Sequence, residues 1–493
     1  MSEKESNQNI IRKFFNQSSH YLVGNISSML AGFISLPILT RIFSRTDYGI
    51  MSLVSTTLFL SVAVAKFGLQ HSSVRFYNEF KNGKRKDSIS VFYTTLFLGA
   101  LFLSLGIGIT FWLLAQPLVQ HLSYANIHVL VWIITGLIVT NSMTVRLNNF
   151  LRVEQKTKLF NIIGIFRRYG ALALGIGLVI YFSKSLEALF SGMLLIDVMT
   201  VFVLTYVFVR QGKIKLKDFS IPFIWECILY GFPLIAFELA SFLIKFSDRY
   251  LIQAFLGSEA VGVYSVGSNL AYYVKDALCL PVWYAIFPLY MELFHKEGKE
   301  KTREFIAKVS NYLLLIAIPI IFGLSALAKP IVITLATTKF EDASIVIPFI
   351  VTGAIIWGFY PIFAAGLYIY KRTKILALYV FIAGGLNVVL NIILIPRMHL
   401  LGAALATFIA YLSLTAMVIR TSYPYLRIHL DGGMLIKSVA AAVLMFSVVR
   451  SLKFGSGLPL LLTKVAIGAV LYFCVLTLLN ENVKKFFLKV FHC

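Results

Sequence analysis

Long apolar runs and short charged corners alternate along this chain from residue 18 to residue 479. Each run is about twenty residues or more, enough for an α-helix to cross a hydrocarbon layer of about 30 Å. The pattern predicts spans near 18–39, 50–71, 88–115, 124–145, 159–182 and 186–209. A second series is expected near 222–247, 260–288, 308–328, 343–369, 375–396 and 401–419, with a last pair near 433–451 and 458–479. The runs are continuous rather than alternating, which excludes a transmembrane β-barrel. No corner is long enough to fold as a soluble domain. The predicted fold class is an all-α polytopic membrane protein of about fourteen transmembrane helices.

The corners repeat. LTRIFSRTDYGIMSLVS at 39–55 and IQAFLGSEAVGVYSVGS at 252–268 align at an offset of 213, which places Gly49 on Gly262 and Ser52 on Ser265. Tyr77 and Glu79 fall on Tyr290 and Glu292 at the same offset. KTK at 156–158 then matches RTK at 372–374, and Ala188-Leu189 matches Ala404-Leu405, both at 216. Landmarks in fixed order predict two parallel six-helix repeats, related by an axis along the membrane normal, with a cleft between them. The expected organisation is an N-terminal segment 1–17, bundles 18–217 and 218–420, an appended helix pair 421–479 and a tail 480–493.

Composition agrees: 58% of residues are hydrophobic, 14% are charged, and the mean hydropathy is +0.82. A net charge of +23 would point a soluble protein towards nucleic acid. Here the basic residues sit in short corners, 29 on one side of the membrane and 9 on the other. That asymmetry excludes a nucleic-acid partner as its cause and puts both termini in the cytoplasm. Cys227, Cys279, Cys474 and Cys493 form no CxxC pair, and the eight histidines include no HExxH. No Walker lysine motif occurs either, so no catalytic set, metal site or cofactor is expected. The polar start, followed by a run too long for a signal sequence, predicts no cleaved leader.

Charges inside the spans are the candidate chemistry, because each costs about 2.5–3.5 kcal/mol at the bilayer centre. Lys66 lies in the second span, Arg167 and Arg168 in the fifth, and Asp197 in the sixth. Glu238 and Lys245 lie in the seventh, which Asp248 and Arg249 close near its outer edge, and Lys275 and Asp276 lie in the eighth. Glu238, Lys245 and Arg249 share one helical face. So do Asn269, Tyr273 and Asp276, and in span 1 Tyr21, Asn25, Ser28, Gly32 and Ser35. Two readings stand for several of these. The span 1 stripe suits helix packing by small residues as well as a substrate face. Arg249 suits a local ion pair with Asp248, Lys245 and Arg168 suit snorkelling, and one of Lys275 and Asp276 suits a structural role.

The opening GNISSMLAGFISLPILTRIFSRTDYGIMSLVST, the following FGLQHSSVRFYNE and the later FSDRYLIQAFLGSEAVGVYSVGSNLA resemble the polysaccharide (O-antigen-type) flippases. These belong to the multidrug/oligosaccharidyl-lipid/polysaccharide superfamily of exporters. The resemblance covers essentially the whole chain, and its motifs are diffuse. It implies export of a lipid-linked oligosaccharide, usually on undecaprenyl diphosphate, from the inner to the outer leaflet of the bacterial cytoplasmic membrane. The product would feed surface polysaccharide such as lipopolysaccharide or capsule, alongside membrane lipids and assembly proteins such as a polymerase and a chain-length regulator. On that reading Lys66, Arg167, Arg168, Lys245, Arg249 and Lys275 bind substrate. Asp197, Glu238, Asp248 and Asp276 are candidates for coupling to an ion gradient. The alternatives are a cation-coupled multidrug exporter of the same superfamily, and a membrane polymerase or scaffold of polysaccharide assembly.

Overall fold

The computed structural model describes residues 27, 29–119, 124, 126–452 and 457–479. The expected segments 1–17 and 480–493, and Tyr21, Asn25 and Ser28 of the span 1 stripe, lie outside these. Among the described residues the chain is helical, with no strand. The first helices are α1 (Met29–Ile42), α2 (Arg45–Ala65), α3 (Leu69–Lys81), α4 (Ile89–Val119) and α5 (Ile127–Val153). Next come α6 (Thr157–Tyr181), α7 (Leu186–Arg210), α8 (Ile221–Leu256), α9 (Ser258–Ala326) and α10 (Ala328–Ala336). The remainder are α11 (Ile347–Phe363), α12 (Ala365–Ile369), α13 (Thr373–Ser422), α14 (Gly432–Ser451) and α15 (Leu458–Leu479).

Among the described residues ten helices are long and apolar enough to cross a membrane, eleven if the bent pair Ile221–Phe232 and Leu234–Leu256 is one span. α9, of 69 residues, and α13, of 50, are far longer than one crossing needs. Each contains a non-helical residue, Gly298 (φ 82°) in α9 and His399 (φ 53°) in α13. Large apolar side chains such as Phe102, Leu114, Trp132, Phe202 and Leu229 are exposed, as a lipid-facing surface requires. The chain is a multi-pass membrane protein.

One expected span is interrupted. The run 50–71 reads as continuous, yet α2 stops at Ala65 and α3 starts at Leu69, because Phe67 (φ 45°) and Gly68 (φ 70°) are left-handed. Gly68 lies directly against the backbone of Gly231, so a side chain at either position would collide with main chain. Phe67 meets Phe232 at 5.6 Å. Lys66 therefore sits at a helix break, not within a helix.

By contact the chain forms two compact units. Unit 1 comprises the described residues up to Ser35 and Met51–Phe242, and unit 2 comprises Leu36–Ile50 and the described residues from Leu243 on. The six-helix repeats read from the sequence are a separate division, drawn from the offset alone. Unit 1 has an aromatic core in which Phe76, Phe80, Phe92, Tyr93, Phe150, Phe208 and Phe223 are buried. Phe80 meets Phe223, and Tyr93 meets Phe150, edge-on at 4.9 Å, the favoured arrangement for ring quadrupoles. Arg85 closes this core, lying 5.2 Å over Phe223 while forking onto Glu226 at 2.6 and 2.8 Å. Those hydrogen bonds raise its pKa, against a smaller lowering by burial.

Unit 2 packs α11 against α9 and α13 through small residues. Ala403, Ala404, Ala406 and Ala410 are fully buried, and a Cβ on Gly353 would reach the Cα of Phe408 at 3.0 Å. The repeated corner lies in this unit too. A Cβ on Gly49 would fall on the carbonyl oxygen of Ser258, and one on Gly262 would fall on that of Arg45. Arg45 and Ser258 are themselves 213 apart, so the contact is reciprocal at the sequence offset. Two helix N-termini cross there on bare backbone.

Candidate functional site

The ten candidate residues fall into three groups and one outlier. In unit 1, Lys66 Nζ lies 3.5 Å from Glu238 Oε2. Gln70 donates to Glu238 Oε1, and His71 Nε2 stands 3.7 Å from the same oxygen. The helix break makes this possible: it releases Lys66 from α2 and starts α3 with Gln70 and His71 towards α8. Lys66 and Glu238 are partly open, with 21% and 26% of their side chains exposed.

The second group joins α5, α6 and α7. Arg167 donates to both oxygens of Asp197 and to Asn141 Oδ1, while Asn141 Nδ2 donates to Asp197 at 2.8 Å. Asp197 is buried. Such a fork onto a carboxylate is the geometry guanidinium favours. Arg168, one residue on and about 100° around the helix, is exposed and makes no polar contact among the described residues.

The third group is in unit 2 and is the densest. Lys245 lies within electrostatic reach of Lys275, Asp276 and Arg249. Asp248 is buried and committed: it accepts from Tyr264 Oη at 2.5 Å and from the Arg249 amide at 2.8 Å. The Arg249 guanidinium stands 3.6 Å from it and lies 5.1 Å over Phe246. Lys275 pairs with Asp276 and lies 4.6 Å over Trp357, which stacks on Tyr411 at 5.0 Å. Lys245 has no carboxylate partner among the described residues; its ammonium faces Phe246 at 5.1 Å and Tyr272 at 5.2 Å. Three cations thus share two carboxylates and an aromatic lining, which attracts cations without cancelling their charge. Such a cluster suits an anion.

Glu238, Lys245 and Arg249 share a face by spacing, but by contact Glu238 belongs to unit 1 and the other two to unit 2. Residues outside the candidate set complete the groups: Gln70, His71, Asn141, Phe246, Tyr264, Tyr272 and Trp357. Gln70-His71 was legible as a polar pair just after the break, whereas ring partners from α9 and α11 leave no mark in sequence spacing. Arg146 is buried in α5. It donates to Leu69 O at 3.1 Å and Ser73 Oγ at 2.7 Å, and so ties α5 to the start of α3.

At the loop end of unit 1, Glu154 follows α5 and accepts from Lys213 at 2.6 Å and from Tyr93, with Lys156 also at 2.6 Å. Burial raises its pKa, but the hydrogen bonds from Lys156, Lys213 and Tyr93 outweigh that and hold it below the usual carboxylate range.

A family model described as polysaccharide biosynthesis protein matches residues 15–294, and one described as lipid II flippase MurJ matches residues 278–472. The chain is 24% identical over 319 residues to the succinoglycan biosynthesis transport protein ExoT of Rhizobium meliloti. That match covers 63% of this chain and spans only 60% of the length of ExoT. It is 22% identical over 408 residues to an uncharacterized membrane protein of Methanocaldococcus jannaschii, covering 78% of this chain and 80% of that one. The fold is similar to that of the lipid II flippase MurJ in an inward closed conformation, with a TM-score of 0.77 at 15% identity over 95% of this chain and 99% of that chain. It is also similar to an inward-facing multidrug resistance MATE family transporter of the MOP superfamily, with a TM-score of 0.58 at 14% identity over 83% and 93%. At these identities the likeness shows the fold.

Proposed function

The chain belongs to the polysaccharide biosynthesis protein family, and we propose that it is a flippase of the MOP superfamily that moves a lipid-linked oligosaccharide across the bacterial cytoplasmic membrane. The cargo is an oligosaccharide on a polyprenyl diphosphate, carried from the inner to the outer leaflet for surface polysaccharide assembly. One observation carries this reading: Lys245, Arg249 and Lys275 share two carboxylates, Asp248 and Asp276, so the cluster holds one more cation than acid and is lined by aromatic rings. A diphosphate is the part of such a cargo that most needs help to leave water, and cations held in place offset its desolvation. The tail has the opposite need. Each methylene gains about 0.8 kcal/mol in the bilayer, so the tail stays in lipid while the head crosses.

Lys245, Arg249 and Lys275 of unit 2 are assigned to the diphosphate, and Lys66 of unit 1 to a phosphate oxygen of the cargo at another stage of its crossing. Arg167, held by Asp197 and Asn141, is assigned to holding α5, α6 and α7 together, and Arg168 to the membrane surface. Asp248 and Asp276 keep their cations placed. Ion-gradient coupling through Asp197, Glu238, Asp248 or Asp276 belongs to the same proposal, as does a cytoplasmic position for both termini.

The test is complementation of a strain lacking the gene, scored as surface polysaccharide per unit of membrane-inserted protein. Wild type restores the polymer, and Lys245→Gln and Lys275→Gln lower it at least tenfold. Accumulated lipid-linked intermediate on the inner leaflet of the deletion strain identifies the cargo. If both glutamine variants export normally, the anion-site assignment is wrong.

A further inference from the structure

Two of the ion pairs of unit 1, Arg167–Asp197 and Lys66–Glu238, differ in a way that separates their roles. Arg167 grips Asp197 through two nitrogens, Asn141 braces both, and Asp197 has 5% of its side chain exposed. Lys66 and Glu238 meet through one contact at 3.5 Å, beyond the roughly 2.7–2.9 Å of a tight charge-assisted hydrogen bond. Both are partly open, and Lys66 hangs from a helix break. Glu238 has other neighbours: Gln70 donates to its other oxygen, and His71 Nε2 stands 3.7 Å from that oxygen. Meanwhile the buried Gln70 Oε1 has no hydrogen-bond partner among the described residues. The Arg167 network is closed; the Lys66 cluster is not.

We propose that Glu238 is an internal stand-in for the cargo phosphate, holding Lys66 when the cargo is absent and giving it up when a diphosphate arrives. This rests on the diphosphate reading above and adds to it a competitor built into the protein. In the exchange Lys66 passes from a carboxylate to a phosphate oxygen, while the freed Glu238 carboxylate keeps the hydrogen bond from Gln70 and its partly open surroundings. A cation shared in this way is never left bare between cycles, which avoids the cost of an unpaired charge within the membrane. Glu238 is thus a positioning residue, and its presence weakens binding by the fraction of time it occupies Lys66.

The experiment uses the full-length protein in detergent and geranylgeranyl diphosphate as the probe, with affinity measured by calorimetry. Glu238→Gln tightens binding about fivefold by removing the competitor. Lys66→Gln weakens it, and the double variant matches Lys66→Gln, because the competitor acts only through that lysine. In wild type, mass spectrometry after carbodiimide treatment supplies a reading that needs no variant. The probe raises modification of Glu238, whereas an anchor that simply touches cargo would be protected. If wild type binds the probe but Glu238→Gln does not bind it more tightly, or Glu238 is protected, the stand-in role is overturned. If wild type shows no preference for the diphosphate over geranylgeraniol, the diphosphate reading itself fails, and this proposal with it.

Discussion

Asp197 shows how one neighbour changes the meaning of an intramembrane arginine. Without it, Arg167 is a charge that only cargo could justify; with it, and with Asn141, the guanidinium is matched inside the helix bundle. Removing one partner leaves the other uncompensated, whereas removing both replaces a pair by neutral groups. Asp197→Asn should therefore lower stability by about 1–3 kcal/mol, discounted for the open part of Arg167. The double variant Arg167→Gln/Asp197→Asn should lie closer to wild type than Asp197→Asn alone. Thermal unfolding in detergent for the four members of that cycle measures the coupling. A double variant whose loss equals the sum of the two single losses would show that the pair is not coupled.

At the scale of the element, helix ends decide more than helix middles. The crossing of α2 and α9 at Gly49 and Gly262 leaves no room for a Cβ on either side, since each would strike a carbonyl oxygen of the other corner. Gly49→Ala and Gly262→Ala should each cost more than the 1–3 kcal/mol typical of overpacking, because backbone must move. The readout is the yield of monodisperse protein on size exclusion, with Gly164→Ala, which faces open space, as the neutral control. At the end of α5, Glu154 has a folded pKa below its unfolded value of about 4.3. Its pairing with Lys156 and Lys213 therefore contributes stability above that unfolded value and loses it as pH falls through the folded one. Glu154→Gln should lower the melting temperature at pH 7, and the gap from wild type should close below about pH 4. A gap that widens on acidification would reverse the sign.

For the whole molecule, orientation is the property that the function needs first. From the excess of basic residues we propose that Lys84 faces the cytoplasm and Lys184 the outside. The corners carrying them lie after α3 and between α6 and α7. In a background where Cys474 and Cys493 are replaced by serine, a cysteine at 184 should react with an impermeant reagent in intact cells, and one at 84 should not. Cys227 and Cys279 are buried and stay silent. The reverse pattern would invert the membrane orientation and the direction of transport with it.

The length of the apolar runs determined that this chain is an all-helical membrane protein, because a backbone in lipid must satisfy its own hydrogen bonds. The 213-residue offset also singled out Gly49 and Gly262, and the insertion cost of charge singled out the intramembrane residues that matter. Spacing along a helix reports only which side chains share a face. Which charges meet depends on distant helices. The pairing of Lys66 with Glu238 required a break at Phe67 and Gly68, where a left-handed backbone interrupts an apolar run that reads as continuous. The lining of Lys245, Arg249 and Lys275 required rings brought from Phe246, Tyr272 and Trp357. Those contacts join α8, α9 and α11. Tertiary structure alone decided which cations are matched by acids and which keep their charge, because that is a property of neighbours in space.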